Sequence, residues 1–168
     1  MSVGIFYGSC GGTTRAVAEK LEDFFEDCEV VDMEEDFDDV EQMLEFDYLL
    51  IGCSTWGAGE LQRDWIDPYL EFDDYDFSGK KIALFGAGDS KTHGEHFVSA
   101  LGKLYNKFTE KGAEVVGFFP KDSYSYDFSE AEIDGKFCGL PIDDMNQKDL
   151  TESRVDAWGT QVKQEFGL

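Results

Sequence analysis

Apolar strand-like runs alternate with helical patterns along the chain, and this alternation limits the folds that the chain can adopt. The run YLLIG carries almost no polar residue, as expected for a strand that is covered on both faces. The predicted strands are 3–7, 29–32, 48–52, 81–86 and 115–119, and the predicted helices start at Thr13 or Thr14 and lie within 32–45 and at 65–70, 95–111 and 150–166. This order predicts a doubly wound α/β fold, a three-layer sandwich around a five-stranded parallel sheet of order 2-1-3-4-5.

One segment, PKDSYSYDFSEAEIDGKFCGLP at 120–141, interrupts the alternation. It is rich in Asp, Ser, Gly and aromatic residues and has no helical period, so we expect an insertion near or inside the last strand. No internal repeat or linker divides the chain, and 168 residues suffice to bury one core. We therefore expect a single domain over 1–168 with an insertion at about 120–141.

The chain is strongly acidic, with 37 Asp and Glu residues against 14 Lys and Arg and a formal charge of −23. Such a surface repels nucleic acid and anionic membranes, and it attracts proteins that present basic faces. A surface adapted only to solvation or salt has the same composition, and the two interpretations are compatible. We expect no nucleic-acid partner and no membrane insertion.

Four cysteines, Cys10, Cys28, Cys53 and Cys138, lie far apart, with no CxxC pair and no histidine at metal-binding spacing. We expect no metal site, and we interpret the cysteines as small buried residues of a protein in a reducing cytosol. The sequence shows no charged-then-apolar leader, and no apolar run approaches the ~18 residues that a membrane span requires. A soluble, cytoplasmic protein is expected.

The loop GSCGGTT at 8–14 follows the first predicted strand and precedes a helix. Its glycines let backbone amides converge on an anion, the helix N-terminus adds positive potential, and Ser9, Thr13 and Thr14 supply hydroxyl groups. The loop lacks the lysine of GxxxxGK[ST] and the spacing of GxGxxG, so a monophosphate fits it better than a nucleoside triphosphate. The alternative is a plain strand-to-helix turn.

Two further loops follow the third and fourth predicted strands, whose carboxyl ends neighbour the first in this strand order. In the loop STWGAG, Trp56 is either an aromatic platform for a planar ligand or a cap on the core. In the loop GAGDSKTHGEHF, two glycines allow a planar ligand to approach and Asp89 offers groups to its polar edge. By themselves, His93 and His96 would be surface residues. Three such loops at one edge of the sheet predict a ligand site there.

The segments FYGSCGGTT, IGCSTWGAGELQ, FGAGD and GKFCGL…DLTESRVDAW together resemble a long-chain flavodoxin over essentially the whole chain. The segment 120–141 resembles the insertion that splits the last strand of long-chain members. The resemblance implies a flavodoxin-like fold, non-covalently bound FMN and no enzymatic activity. It implies a low-potential, monomeric one-electron carrier that shuttles between semiquinone and hydroquinone. The implied partners are redox proteins with basic faces, such as a ferredoxin/flavodoxin–NADP reductase and low-potential acceptor enzymes.

The resemblance also implies, position by position, which residues bind FMN. The loop 9–14 matches the phosphate loop, Trp56 the aromatic residue on the inner flavin face and His93 the outer-face stacking position. Asp89 and His96 lie where backbone groups meet the pyrimidine edge. The expected FMN-binding residues are Ser9, Cys10, Gly11, Gly12, Thr13, Thr14, Ser54, Thr55, Trp56, Gly57, Gly59, Ala87, Gly88, Asp89, His93 and His96.

The second loop receives two roles from the resemblance. Ser54 and Thr55 match positions near the ribityl chain, and Gly57 and Gly59 match the loop beside flavin N5 and O4. Family members turn the peptide after the aromatic residue toward N5, and that turn needs a positive φ, which glycine adopts at little cost. We therefore expect a positive φ at Gly57.

The sequence departs from the family pattern at three of these positions. Gly11 replaces the middle threonine of [ST]-x-T-G-x-T, and Ala87 replaces a common threonine, so we expect FMN to bind more weakly than in typical members. His93 replaces a tyrosine. Histidine changes charge between pH 5 and 8, and we hypothesise that a protonated His93 eases the second reduction as the pH falls. The alternative is a neutral side chain that is weakly stacked or turned away from the flavin.

Three other functions fit the predicted topology. A receiver domain needs an acidic pair after the first strand, an Asp after the third and a Lys after the fifth, and only Lys121 meets that pattern. An FMN-dependent NAD(P)H:quinone reductase would bind a nicotinamide over the flavin, and the acidic composition disfavours a phosphorylated one. A non-redox FMN-binding protein would form no semiquinone. We prefer the electron carrier.

Overall fold

A parallel β-sheet lies between two layers of helices in the computed structural model, which describes residues 2–168. The strands are β1 Val3–Gly8, β2 Cys28–Asp32, β3 Tyr48–Cys53, β4 Thr55–Trp56, β5 Glu60–Leu61, β6 Lys81–Ala87, β7 Glu114–Val116, β8 Phe119–Pro120, β9 Glu132–Ile133, β10 Lys136–Phe137 and β11 Gly139–Ile142. The helices are α1 Thr13–Glu22, α2 Val40–Leu44, α3 Ile66–Glu71, α4 Ser99–Glu110 and α5 Asp144–Phe166.

The main sheet has the order β2-β1-β3-β6, and its fifth position is shared by β7 and β11, which both run parallel to β6. β7 pairs with the first half of β6, up to Val116 opposite Ala83, and β11 pairs with the second half, from Gly139 opposite Leu84. The predicted 2-1-3-4-5 order and the split of the last strand are therefore confirmed.

The two faces of the sheet bury two separate cores, because side chains alternate along each strand. On one face, Phe6, Ile51 and Leu84 pack with apolar residues of α2 and α4. On the other face, strand residues such as Ile5 and Leu50 pack with α1 and α5. Because both faces are covered, the predicted strands are mainly apolar. The strands run parallel, so the loops that follow β1, β3 and β6 lie at one edge of the sheet.

The helix predicted at 95–111 begins later, at Ser99. Val98 adopts a left-handed conformation with φ 45°, and residues 94–96 form a single 3-10 turn. The physical reason is the side chain of Phe97, which fits the helical period but packs among the aromatic rings of Tyr126 and Phe137. The chain therefore turns before the helix starts.

The insertion occupies residues 117–138, between the two halves of the fifth strand, somewhat earlier than the predicted 120–141. β7 ends at Val116 because Gly117 turns the chain with φ 79°. The Gly117 carbonyl accepts a hydrogen bond from Trp158 Nε1 (2.7 Å), and its amide donates to Glu165 (2.6 Å). The insertion contains its own small antiparallel sheet, β8-β10-β9.

All four cysteines are free thiols, but they differ in exposure. Cys53 and Cys138 are buried, and burial raises the pKa of each to about 12. The expectation of burial is wrong for Cys10, which is exposed because the loop between β1 and α1 is not covered by another element. Cys28 is half-buried at the start of β2. Over residues 2–168, no helix is both long and apolar enough to cross a membrane.

Candidate functional site

The loops after β1, β3 and β6 meet around a cavity of about 290 Å³ at the carboxyl edge of the sheet. It is lined by Ser9, Gly11, Thr13, Thr14, Ser54, Thr55, Trp56, Gly57, Ala87, Gly88, Asp89, His93 and Met145. Apart from Met145, each of these residues belongs to the predicted site. Within the described chain, the lining contains no lysine or arginine, so an anionic ligand there would depend on backbone amides and hydroxyl groups.

The first loop is shaped by two glycines. A Cβ atom on Gly8 would lie 2.1 Å from Gln62 Oε1, so only glycine lets the buried Gln62 side chain pack against the end of β1. Gly12 has φ 84°, and its amide donates to Ser9 Oγ at 3.0 Å. The chain thereby reverses into α1 with its amides directed toward the loop.

The start of α1 carries a buried hydroxyl group without a partner. Thr14 is 1% exposed, and over residues 2–168 its Oγ1 is the one buried side-chain polar atom that makes no hydrogen bond. Within the described chain, no side chain caps the amides of the first turn of α1. A buried hydroxyl without a partner costs about 1–3 kcal/mol. The hydroxyl and the amides together fit an anionic ligand that would satisfy them.

The second loop presents an aromatic wall. Trp56 is 49% exposed, and its Nε1 donates to Ser54 Oγ at 2.9 Å, which fixes the indole plane. Thr55 Oγ1 accepts from the Ala100 amide at 3.1 Å, so the loop is attached to α4. Gly57 has φ 51°, as predicted. The indole therefore lines the cavity rather than capping the core.

The third loop is held by the Asp89 carboxylate. Asp89 Oδ1 accepts from Asn146 Nδ2 (2.9 Å), the Thr92 amide (3.0 Å) and the Lys91 amide (3.1 Å). The hydrogen bond from Asn146, followed by that from Thr92, lowers the pKa of Asp89 to about 2. Oδ1 of this carboxylate therefore holds the loop in place, and Asp89 itself lines the cavity.

Two residues of α5 belong to the site and were not predicted. Met145 is 75% exposed and lines the cavity, and its neighbour Asn146 joins the third loop to Asp143 at the start of α5 (2.8 Å). In the sequence, the two residues are only a methionine followed by an asparagine near the start of a helix. That pattern does not by itself indicate a ligand.

Four predicted residues do not line the cavity. Cys10 faces a neighbouring cavity and accepts from Gln62 Nε2 at 3.4 Å, and the Gly12 amide serves Ser9. Gly59 is buried against the start of α4, where a Cβ atom on it would lie 3.7 Å from His96 Cβ. Gly59 and His96 therefore lie near each other, and neither lines the cavity.

The sheet is doubly wound, and its carboxyl edge carries an anion-binding loop without a cation, an aromatic wall and a third loop. These features define a class of α/β proteins that bind a planar, phosphorylated ligand. The family model described as flavodoxin matches residues 5–158. The chain belongs to the flavodoxin family, whose members are electron-transfer flavoproteins and not enzymes.

Individual relatives match over nearly the whole chain. The chain is 56% identical to flavodoxin 1 of Azotobacter vinelandii, with 98% of this chain and 97% of the relative covered. It is 44% identical to a flavodoxin of Picosynechococcus sp., with coverage of 99% and 98%. Among solved structures, a Fusobacterium nucleatum flavodoxin bound to flavin mononucleotide has a TM-score of 0.91 at 31% identity, and 98% of each chain is covered.

Proposed function

We infer that this chain is a low-potential one-electron carrier that binds FMN non-covalently in the cavity at the carboxyl edge of the sheet. The observation that carries the assignment is the buried, unpartnered Thr14 hydroxyl in a loop without lysine or arginine. When bound, FMN supplies a flavin ring that takes up and releases electrons one at a time. The protein supplies binding, orientation and electrostatics.

The residues of the cavity fit FMN. A Cβ atom added to Gly11 would meet nothing within 4 Å, so the phosphate loop has open space at that position. Ser9, Thr13 and Thr14 would hold the phosphate with hydroxyl groups and amides, and Ser54 and Thr55 would contact the ribityl chain. Trp56 and His93 line the cavity as the two flanking side chains, and the backbone at Gly57, Gly88 and Asp89 would face the polar edge of the ring.

The environment favours a low potential. The formal charge of −23 disfavours the addition of a further negative charge to the bound group, and Trp56 excludes water from one side of the cavity. A carrier of this kind suits reductive partners that require a strong donor.

Redox proteins are the partners of such a carrier, and charge complementarity favours those with basic faces. A ferredoxin/flavodoxin–NADP reductase and low-potential acceptor enzymes are the classes we assign. The same charge favours a monomer, because two copies repel each other. Four free cysteines support a reducing compartment, the cytoplasm.

Substitution of Thr14 tests the assignment directly. Thr14→Val removes the hydroxyl and keeps the shape, so FMN should bind about tenfold more weakly, which corresponds to about 1.4 kcal/mol. The ligand-free chain should be no less stable, because the removed hydroxyl has no partner in the protein. FMN fluorescence titration measures the first effect and urea unfolding the second.

Thr14→Ser retains the hydroxyl and is the matched control, with FMN binding close to that of the wild type. Equal FMN affinity in wild type and Thr14→Val would contradict the phosphate role. Stepwise reduction of the loaded protein should turn it from yellow to blue. Direct oxidation of NAD(P)H without a reductase would instead identify the quinone reductase.

A further inference from the structure

We propose that an apolar strip beside the cavity, which runs from Trp56 across Leu61 and Ile66 to Leu70, is a docking surface for a protein that carries an apolar side chain within a ring of Lys and Arg. We call it the α3 strip. The proposal deepens the proposed function, on which it rests, because it locates the surface through which a redox partner engages the cavity edge. No part of the strip belongs to the first turn of α1 or to the third loop.

The geometry of α3 places two large apolar side chains in solvent. Trp65, just before the helix, is buried, and its Nε1 donates to the Gly52 carbonyl at 2.9 Å. Pro68 and Phe72 are buried on the same side, three and seven residues later. Ile66 and Leu70, four residues apart, therefore lie together on the opposite side and are 49% and 62% exposed. They contribute little to the core of this protein.

The strip is continuous with the ligand cavity. A second cavity of about 290 Å³ is lined by Cys10, Trp56, Glu60, Leu61, Arg63 and Ile66. Trp56 lines both cavities, so its indole forms the wall between them. A side chain that enters the second cavity would therefore contact the aromatic residue that flanks the proposed flavin site.

The charges around the strip select the partner. Glu60, Asp67 and Glu71 are exposed beside the apolar residues. Among the residues that line the second cavity in the described chain, Arg63 is the one cation, and it is paired with Glu34 at 3.1 Å. An apolar centre with an acidic rim complements an apolar centre with a basic rim.

A second copy of this chain fits the strip less well. Two strips face to face would bring both acidic rims together, and each chain has a formal charge of −23. Like charges placed opposite one another oppose such an interface. A basic redox protein satisfies the apolar and the charged parts together.

The test uses the FMN-loaded chain with a ferredoxin/flavodoxin–NADP reductase as the probe. Ile66→Ser and Leu70→Ser should each raise the dissociation constant of the complex about tenfold. An effect of this size is typical of interface side chains that contribute to affinity. The ratio to wild type should persist at high ionic strength, because an apolar contact is not screened by salt. Hydrogen exchange should show protection over residues 60–71 in the wild-type complex.

Leu150→Ser is the matched control, since Leu150 is 37% exposed on α5, in the opposite helix layer. FMN affinity and a dithionite titration of each variant are measured first. If the wild type binds no FMN or shows no one-electron step, the proposed function fails. This result is distinct from a failure of the docking proposal. Unchanged dissociation constants in both α3 variants, an equal effect of Leu150→Ser, or no saturable complex with wild type would overturn the strip as a docking surface. Wild-type self-association that Ile66→Ser abolishes would also overturn it, in favour of a second copy.

Discussion

Gly11 is the residue at which this phosphate loop departs most from its family pattern, and the structure leaves room to restore it. A Cβ atom there meets nothing within 4 Å, and unlike Gly12 the residue has no positive φ. Gly11→Thr should therefore fold normally and add one hydroxyl donor to the phosphate. We expect FMN to bind about tenfold more tightly, or about 1.4 kcal/mol, as measured by fluorescence titration.

Gly12→Thr is the natural comparison, because it places the same side chain in a backbone with φ 84°. That conformation is costly for a threonine. We expect this variant to lose stability and to gain no FMN affinity. If Gly11→Thr binds FMN no better than the wild type, the missing hydroxyl does not limit affinity.

Thiol reactivity provides a second prediction for single residues. Cys10 is exposed, whereas burial raises the pKa of Cys28, Cys53 and Cys138 to about 12 each. In the folded, ligand-free chain, one thiol equivalent should react rapidly with a disulfide reagent at neutral pH, because thiolate is the reactive form.

Cys10→Ser should abolish the rapid phase, and Cys28→Ser should leave it intact. A rapid phase that survives in Cys10→Ser would show that another cysteine becomes accessible in solution. The sequence did not distinguish these thiols, since exposure in a loop depends on which elements lie over it.

Among the elements, the loop after β6 and the start of α5 are joined through Asp89 and Asn146 (2.9 Å). Asn146 also donates to the buried carboxylate of Asp143, and Ser90 Oγ donates to the other oxygen of that Asp143 carboxylate. The loop that would meet the flavin edge is thus held by a helix that lies far from it in sequence. Hydrogen bonds hold this loop around Asp89, whereas the apolar packing of Phe97 holds its other end.

This link makes stability depend on pH. The folded pKa of Asp89 is about 2, below the value of about 3.9 for a free aspartate, so the interaction stabilises the fold above pH 4 and is lost as the pH falls toward 2. Asp89→Asn should lower the free energy of unfolding at pH 7, and its difference from wild type should shrink between pH 4 and 2. Urea unfolding at several pH values measures both effects.

Asp156→Asn, at an exposed position on α5, is the control and should change stability little at any pH. A difference between Asp89→Asn and wild type that stays constant from pH 7 to pH 2 would contradict the role of the carboxylate.

The sequence predicted the elements well where local pattern and tertiary structure agree. The runs at 3–7 and 48–52 are apolar because both faces of the sheet are covered, and both are strands. Phe97 misled the prediction of α4, because an apolar residue at helical spacing is equally suited to an aromatic cluster outside the helix. Met145 was missed because its place at the cavity depends on the split strand that positions α5.

For the molecule as a whole, the charge of −23 should oppose folding at low ionic strength. Exposed ion pairs such as Arg15–Glu19 contribute little, and Lys107–Asp73, whose lysine is mostly buried, is a local exception. The free energy of unfolding of the ligand-free chain should therefore rise when salt is added, as measured by urea unfolding at constant pH. A decrease with salt would show that ion pairs outweigh the general repulsion.

The net charge of the chain predicts the kind of partner, but it does not predict which residues bind that partner. It indicated basic partners but not where they bind, since acidic residues cover much of the surface. The α3 strip emerged only from the fold, because Ile66 and Leu70 have no unusual sequence context and their exposure follows from the buried Trp65. The single domain over 1–168 stays a prediction.

The split fifth strand has a consequence for how such a protein can change over time. Val116 lies opposite Ala83 and Gly139 opposite Leu84, so residues 117–138 leave and re-enter the sheet at adjacent rungs of the same ladder. The length of this segment can therefore vary without a shift in the register of any strand of the main sheet. The outer rim of the fold is thereby a place where new surface can be acquired, as long as Tyr126 and Phe137 keep their contacts with Phe97, which ends the third loop of the site.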